Sequence, residues 1–194
     1  MATVYYTATT LDGFIATEDH SLGWLLTRQQ DPDAPLGWNR FRAGLGSAAY
    51  GANTYQWVLD HAPDDWDGDV PSWVFTHRGF EPRAGITFTD GNVAEVHAAM
   101  VEAAGDKDVW VVGGGGLAAQ FAEAGLLDEV IVSIAPVTLG AGAPLLAARV
   151  ELRLEEVGRN GEFACARYAV VREPGPTATE GRRDGAEQTP EVED

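Results

Sequence analysis

The stretch Val109-Trp110-Val111-Val112-Gly113-Gly114-Gly115-Gly116-Leu117 constrains the fold more than any other part of the chain. Its unbroken apolar run suits a central strand covered on both faces. The four glycines leave the backbone bare where a helix opens, from about Leu117, with Phe121 and Ala124 on its apolar side and Gly125 past its end. Val130-Ile131-Val132-Ser133-Ile134 repeats the buried-strand pattern. The unit from Asp108 to Ile134 therefore reads as a βαβ crossover joining parallel strands, which commits the chain to an α/β fold.

The same glycines carry a chemical expectation. Unpaired amides and the helix dipole make a helix N-terminus an anion site, and missing Cβ atoms let a diphosphate approach closely. A tight strand-to-helix turn alone needs only one or two glycines. Gly113/Gly115/Ala118 and Gly114/Gly116/Ala119 both satisfy the G-x-G-x-x-A dinucleotide fingerprint. The context is wrong for a Rossmann unit, because the motif lies past the chain midpoint and Asp128 and Glu129 precede the next strand rather than end it.

Before this unit, Val4 to Ala8 reads as a strand ending at the Asp12-Gly13 turn signal, followed by a long polar loop from Thr17 to Pro35. Such loops are usually lids or binding loops. A short helix is expected over Trp38 to Leu45, a strand over Ala48 to Gly51 and a helix from Thr54. Ser72 to Thr76 and, more weakly, Ile86 to Phe88 read as strands, and Val93, Val96, Met100 and Ala104 recur at helical spacing before Gly105. Val150, Leu152 and Leu154 alternate with charges, and Asn160-Gly161 turns that strand back on Phe163 to Val171 as an antiparallel hairpin. The expected architecture is a mixed, mostly parallel sheet finished by that hairpin.

Composition sets the outer limits. The 194 residues suffice for one sizeable domain, expected over 1–172, and 45% hydrophobic content is ordinary for a globular chain. Residues 173–194 carry seven acids, two arginines and Val192 as their only large apolar side chain, so a disordered acidic tail is expected. Thirteen basic residues against thirty acidic ones, a net charge of −17, argue against nucleic-acid binding or attachment to an anionic membrane. The single Cys165 excludes an internal disulfide, and four scattered histidines offer no metal-ligand spacing. No apolar run approaches the length of a membrane span, and Met1-Ala2-Thr3 lacks the layout of a signal peptide, so a cytoplasmic protein is expected.

Four stretches, in order, resemble the dihydrofolate reductase-like superfamily, closest to the branch containing the reductase domain of the bifunctional riboflavin-biosynthesis deaminase–reductase. They are Thr9 to Ala16 (TTLDGFIA), Tyr50 to Tyr55 (YGANTY), Val111 to Phe121 (VVGGGGLAAQF) and Leu127 to Gly142, which contains Pro136-Val137-Thr138-Leu139-Gly140. The resemblance implies a three-layer α/β/α fold binding NADPH across the C-terminal edge of its sheet. It implies hydride transfer to a small heterocyclic or sugar-imine substrate, as in 5-amino-6-(5-phosphoribosylamino)uracil reductases, without metal or covalent intermediate. A non-catalytic nucleotide-binding protein on the same fold is the alternative. A homodimer paired through the hairpin region is implied as well.

Carried over by position, the resemblance places Ala8 and Ile15 beside the nicotinamide. It places Gly51, Asn53 and Thr54 on one side of the diphosphate and Gly113, Gly114, Gly115, Gly116 and Leu117 on the other, with Gln120 nearer the adenosine. Thr76, His77 and Arg78 fall where the family recognises the 2′-phosphate; a guanidinium suits phosphate, although a solvated loop arginine and a surface histidine are the plain alternatives. Ala52 stands where the family usually has a basic residue, leaving compensation to Arg78, Arg83 or Arg28 and the choice between NADPH and NADH open. Asp12 is the candidate catalytic acid, with a plain Asp-Gly turn as its alternative. Asp31, Trp24 and Ser133 are candidates for the substrate pocket, against readings as a solvated loop aspartate (shared by Asp33), a core tryptophan and a buried serine.

Overall fold

The computed structural model describes residues 1–62 and 70–172; the acidic tail expected at 173–194 lies outside the described residues. The chain runs β1 (Thr3–Thr10), β2 (Phe14–Ala16), α1 (Gly23–Leu26), α2 (Trp38–Ala43), β3 (Leu45–Gly51) and α3 (Ala52–His61). It continues through β4 (Ser72–Phe75), β5 (Ile86–Thr89), α4 (Val93–Ala104), β6 (Asp108–Gly113) and α5 (Gly115–Glu123). It closes with β7 (Glu129–Ala135), β8 (Ala143–Pro144), β9 (Leu152–Asn160) and β10 (Phe163–Val170).

The main sheet has eight strands in the order β5-β4-β3-β6-β1-β7-β10-β9. Every pair from β5 to β7 is parallel, and β10 and β9 add antiparallel at the end, as the sequence pattern requires. This order is not the 3-2-1-4-5-6 of a Rossmann sheet. The crossover from β6 through α5 reaches a parallel strand, but β1 lies between β6 and β7 and pairs with both. Two acids fasten the start of β1: Asp128, just ahead of β7, accepts the Thr3 amide on Oδ2 at 2.8 Å, and Asp108, the first residue of β6, accepts that of Ala2 on Oδ1 at 2.6 Å.

Alternation along the central strands sends side chains to two cores. Tyr5, Val109, Val111 and Val130 face α4 and α5, packing against Met100, Leu117 and Phe121. On the other face Val4, Ile131, Phe163 and Cys165 pack under Leu36, Trp24 and Phe41 from the segment between β2 and β3. Met100, Phe121 and Leu127 are wholly buried, each contributing about 1.5–3 kcal/mol of transfer free energy. The layers are thus helix, sheet and helix. Among the described residues no helix is long and apolar enough to cross a membrane.

Three local features depart from the sequence reading. Helix α5 opens at Gly115, two residues before the expected Leu117, because the Leu117 and Ala118 amides both donate to Gly114 O and draw the glycines into the first turn. A Cβ on Gly115 would stand 2.1 Å from Pro144 O, so part of the glycine run serves the close passage of β8. The pair β2–β8 is too short to show a period, and α1 is a single turn inside the expected loop. Strand β9 begins at Leu152 rather than Val150 and carries an extra residue: Glu156 pairs with Arg167 but Leu154 with Tyr168. That bulge brings Leu154 and Val157 to the same face of the edge strand, where they are 56% and 71% exposed.

Candidate functional site

A cleft of about 530 Å³ opens at the C-terminal ends of β1, β3 and β6. Parallel α/β sheets place ligands at these ends because loops and helix N-termini converge there. The floor is Thr7 and Ala8 of β1 with Val112 of β6, and Ile15 with Pro144 closes one side. Two helices point their first turns at the space. Helix α3 starts after Gly51 and α5 after Gly114, and neither N-cap offers a side chain to its amides. Unpaired N–H groups at both ends therefore face a common volume with the positive ends of two helix dipoles.

The glycines differ in what they do. Gly113 is buried with φ at +134°, a value other residues rarely adopt, and its peptide to Gly114 is cis. Gly116 lines the cleft and has nothing within 4 Å of where a Cβ would stand. Its bare backbone leaves room that any side chain would fill. Open backbone beside helix N-termini is an arrangement able to accept a diphosphate.

At the rim, Arg78 donates from Nη2 to Asn53 Oδ1 at 2.7 Å. Asn53 Nδ2 in turn lies 3.5 Å from His20 Nε2, and all three line the cleft. Thr76 is not at the cleft surface; its hydroxyl accepts the Arg78 amide at 2.9 Å and sets the turn that presents the arginine. His77 is exposed outside the cleft, and Gly113 lies beneath it. The remaining expected cofactor positions, Ala8, Ile15, Gly51, Asn53, Thr54, Arg78, Gly114 to Leu117 and Gln120, all border the one space.

The expected acid and substrate residues are placed elsewhere. Asp12 Oδ2 accepts the amides of Gly140 at 2.7 Å and Leu139 at 3.0 Å, and Oδ1 accepts the Thr10 hydroxyl at 2.5 Å. The Thr10 hydroxyl first, then these amides, hold its carboxyl below the usual range, and together they clamp the turn at Leu139–Gly140 onto the end of β1. Asp31 binds through its backbone to the buried Asn160 of the hairpin, and its carboxylate accepts the Asp33 amide. Trp24 packs on the Val4–Phe163 core. Ser133 is 5% exposed beside Cys165 Sγ at 3.4 Å. Arg28 donates to Trp24 O and reaches Glu162, away from the cleft. In each case a local backbone or core partner claims the side chain.

Sequence reasoning missed Thr7, His20, Leu22, Trp57 and Pro144 as lining residues. Trp57 carried a usable signal, since it stands four residues after Asn53 and so shares its helix face. His20 carried none: it reaches the rim because residue 20 adopts φ of +62° in a turn closed by its amide on Thr17 O.

Comparison with known proteins bears on the whole of this domain. YwjB of Bacillus subtilis (strain 168) is 30% identical over 171 residues, covering 86% of this chain and 96% of that one. A solved structure from Shewanella sp. PV-4, of a protein assigned to riboflavin biosynthesis, superposes with a TM-score of 0.74 at 24% identity, covering 89% of this chain and 100% of that chain. The Thermotoga maritima diaminohydroxyphosphoribosylaminopyrimidine deaminase/5-amino-6-(5-phosphoribosylamino)uracil reductase superposes with a TM-score of 0.60 at 15% identity, over 88% of this chain and 56% of that one. The profile of the RibD C-terminal domain family matches residues 3–162, and the chain belongs to that family.

Proposed function

We propose that the protein is an NADPH-dependent reductase that transfers a hydride to a small heterocyclic or sugar-imine substrate. The observation that supports this reading best is the pair of uncapped helix N-termini, α3 and α5, facing one cleft across the bare backbone of Gly116. A bound reduced nicotinamide supplies the hydride. The chain supplies the rest: amides of the two first turns hold the diphosphate, and the Arg78 guanidinium, steadied by Asn53, meets the 2′-phosphate. Ala8 and Ile15 offer apolar contact that keeps water from the transferring carbon.

A C=N substrate also needs a proton on nitrogen. With Asp12 turned to the Leu139 and Gly140 amides, the lining groups able to pass one on are the hydroxyls of Thr7 and Thr54 and the imidazole of His20. The test is a fluorescence titration with NADPH and NADH, since Trp57 lines the cleft. Tighter NADPH binding, followed by oxidation of NADPH on adding a C=N substrate, is expected. Binding without turnover of any such substrate would favour a non-catalytic nucleotide-binding protein.

The reading extends to assembly. Leu154 and Val157 form an apolar pair on the open edge of the sheet, a surface that a second copy of the chain would cover. The cytoplasmic homodimer proposed here gives twice the chain mass by light scattering, and Leu154→Glu reduces it to a monomer.

A further inference from the structure

Beyond His20 the cleft continues into a second space of about 670 Å³, between the Asp19–Leu26 segment and the outer face of α3. Asn53, Gln56, Trp57, Asp60 and His61 border it at the spacing of one helix face. Its charges are distributed unevenly. Among the described lining residues the one permanent cation is Arg78, at the inner end, already bonded to Asn53. Asp19 on the loop and Asp60 on the helix put carboxylates on both walls. The Thr17 hydroxyl holds the Asp19 carboxyl below its usual range, so that wall stays anionic.

The other groups are suited to hydroxyls. Gln56 Nε2 donates to Asp60 Oδ1 at 2.9 Å, leaving the amide carbonyl and the second carboxylate oxygen as acceptors. Trp57 lines both spaces, with His61 stacked on its ring at 4.6 Å, so an aromatic wall runs through the junction. Carboxylate, amide and aromatic face together bind a polyol, which donates its hydroxyls to the acceptors and rests its C–H face on the ring. Outward of Arg78, between Asp19 and Asp60, a phosphate dianion would meet like charge from two sides.

We propose that this outer space takes an unphosphorylated, hydroxyl-rich sugar or sugar-alcohol chain attached to the group that is reduced in the inner cleft. The proposal rests on the reductase reading above. It separates this chain's substrate from the phosphoribosyl compound in the name of the Thermotoga maritima relative.

The experiment has two arms, both on the full chain. In the first, NADPH oxidation is followed with 5-amino-6-(ribosylamino)uracil and with its 5′-phosphate. The unphosphorylated compound is expected to have the higher kcat/KM by about tenfold or more, the ratio that one like-charge contact of about 1.4 kcal/mol produces. The double variant Asp19→Asn, Asp60→Asn is expected to narrow that ratio by accelerating the phosphorylated compound. Equal or better use of the phosphorylated compound overturns the proposal.

In the second arm, ribitol and ribose 5-phosphate are titrated without cofactor, and the His61 imidazole and Trp57 indole signals are followed by NMR, assigned with His61→Gln and Trp57→Phe. Ribitol is expected to shift them and ribose 5-phosphate to leave them in place at equal concentration. Should NADPH bind but neither pyrimidine react, or should NADPH fail to bind and the reductase reading fall, this arm decides alone. A ribitol shift sustains the outer subsite, and its absence overturns it.

Discussion

The guanidinium of Arg78 and the side-chain carbonyl of Asn53 are joined at 2.7 Å, which ties the loop after β4 to the first turn of α3 at the mouth of the cleft. The bond fixes a cation beside two uncapped helix ends in a chain whose net charge is −17. On the proposed reading, phosphate recognition in so acidic a protein is local, made by backbone amides and one guanidinium rather than by a basic surface.

Replacing Arg78 therefore has a selective effect. Arg78→Ala is expected to weaken NADPH by about 10–100-fold, the range for losing a charge-assisted hydrogen bond of about 1.5–3 kcal/mol, while NADH changes by less than about threefold. Titration of both cofactors against both proteins gives the comparison. Equal loss for the two would move Arg78 away from the 2′-phosphate.

Two adjacent glycines are expected to respond to different measurements. Gly115→Ala places a methyl 2.1 Å from Pro144 O, so it should destabilise the fold by about 1–3 kcal/mol in urea unfolding. At Gly116 an added Cβ meets nothing within 4 Å, so Gly116→Leu should fold normally, yet fill the cradle and weaken NADPH at least about tenfold. A Gly116 variant that binds NADPH normally would contradict the placement of the diphosphate.

Asp12 is expected to act on stability. Its depressed carboxyl titration, caused first by the Thr10 hydroxyl and then by the Gly140 and Leu139 amides, means that the unfolded chain binds the proton more readily. The stabilisation is present above the ordinary carboxylate range and is lost as pH falls through the lower, folded-state value. Asp12→Ala should lower the thermal midpoint at pH 7, lose that difference from wild type in acid, and leave NADPH affinity within about twofold. A large loss of cofactor affinity with an unchanged midpoint would restore Asp12 to the site.

His97 gives the opposite charge type and the same pH direction. Burial lowers its titration below the usual histidine value, against the smaller pull of Asp128, and its Nε2 lies 2.8 Å from Thr3 Oγ1. The unfolded chain then takes up the proton first, so this contribution is whole above about pH 6.5 and declines as pH falls below it. Denaturant midpoints between pH 8 and pH 5 should drop less for His97→Gln than for wild type.

How far the sequence revealed this site follows from which residues act through the backbone. The position of the glycine run was legible because a strand-to-helix junction is announced by an apolar run followed by glycines, whereas Thr54 and Ile15 were reached only through the family resemblance. Strand pairing was only half legible: Val109–Val112 and Val130–Ile134 announce parallel neighbours, but nothing local says that β1 slides between them. The partners of Asp12, Asp31 and Ser133 were not legible, because a polar residue in a motif looks the same whether it faces a ligand, a pair of amides or a buried thiol. Pro144 and His20 enter the cleft through long-range packing and a left-handed turn, which composition and periodicity do not encode.

The central claim is that two helix N-termini and Arg78 form an NADPH site, and the most direct measurement is the dissociation constant of NADPH beside that of NADH for the wild-type chain and Gly116→Leu. The account predicts micromolar NADPH binding, tighter than NADH by about tenfold or more, and its loss in the Gly116 variant. Failure of both cofactors to bind the wild-type protein, or equal binding by the filled cradle, would contradict it.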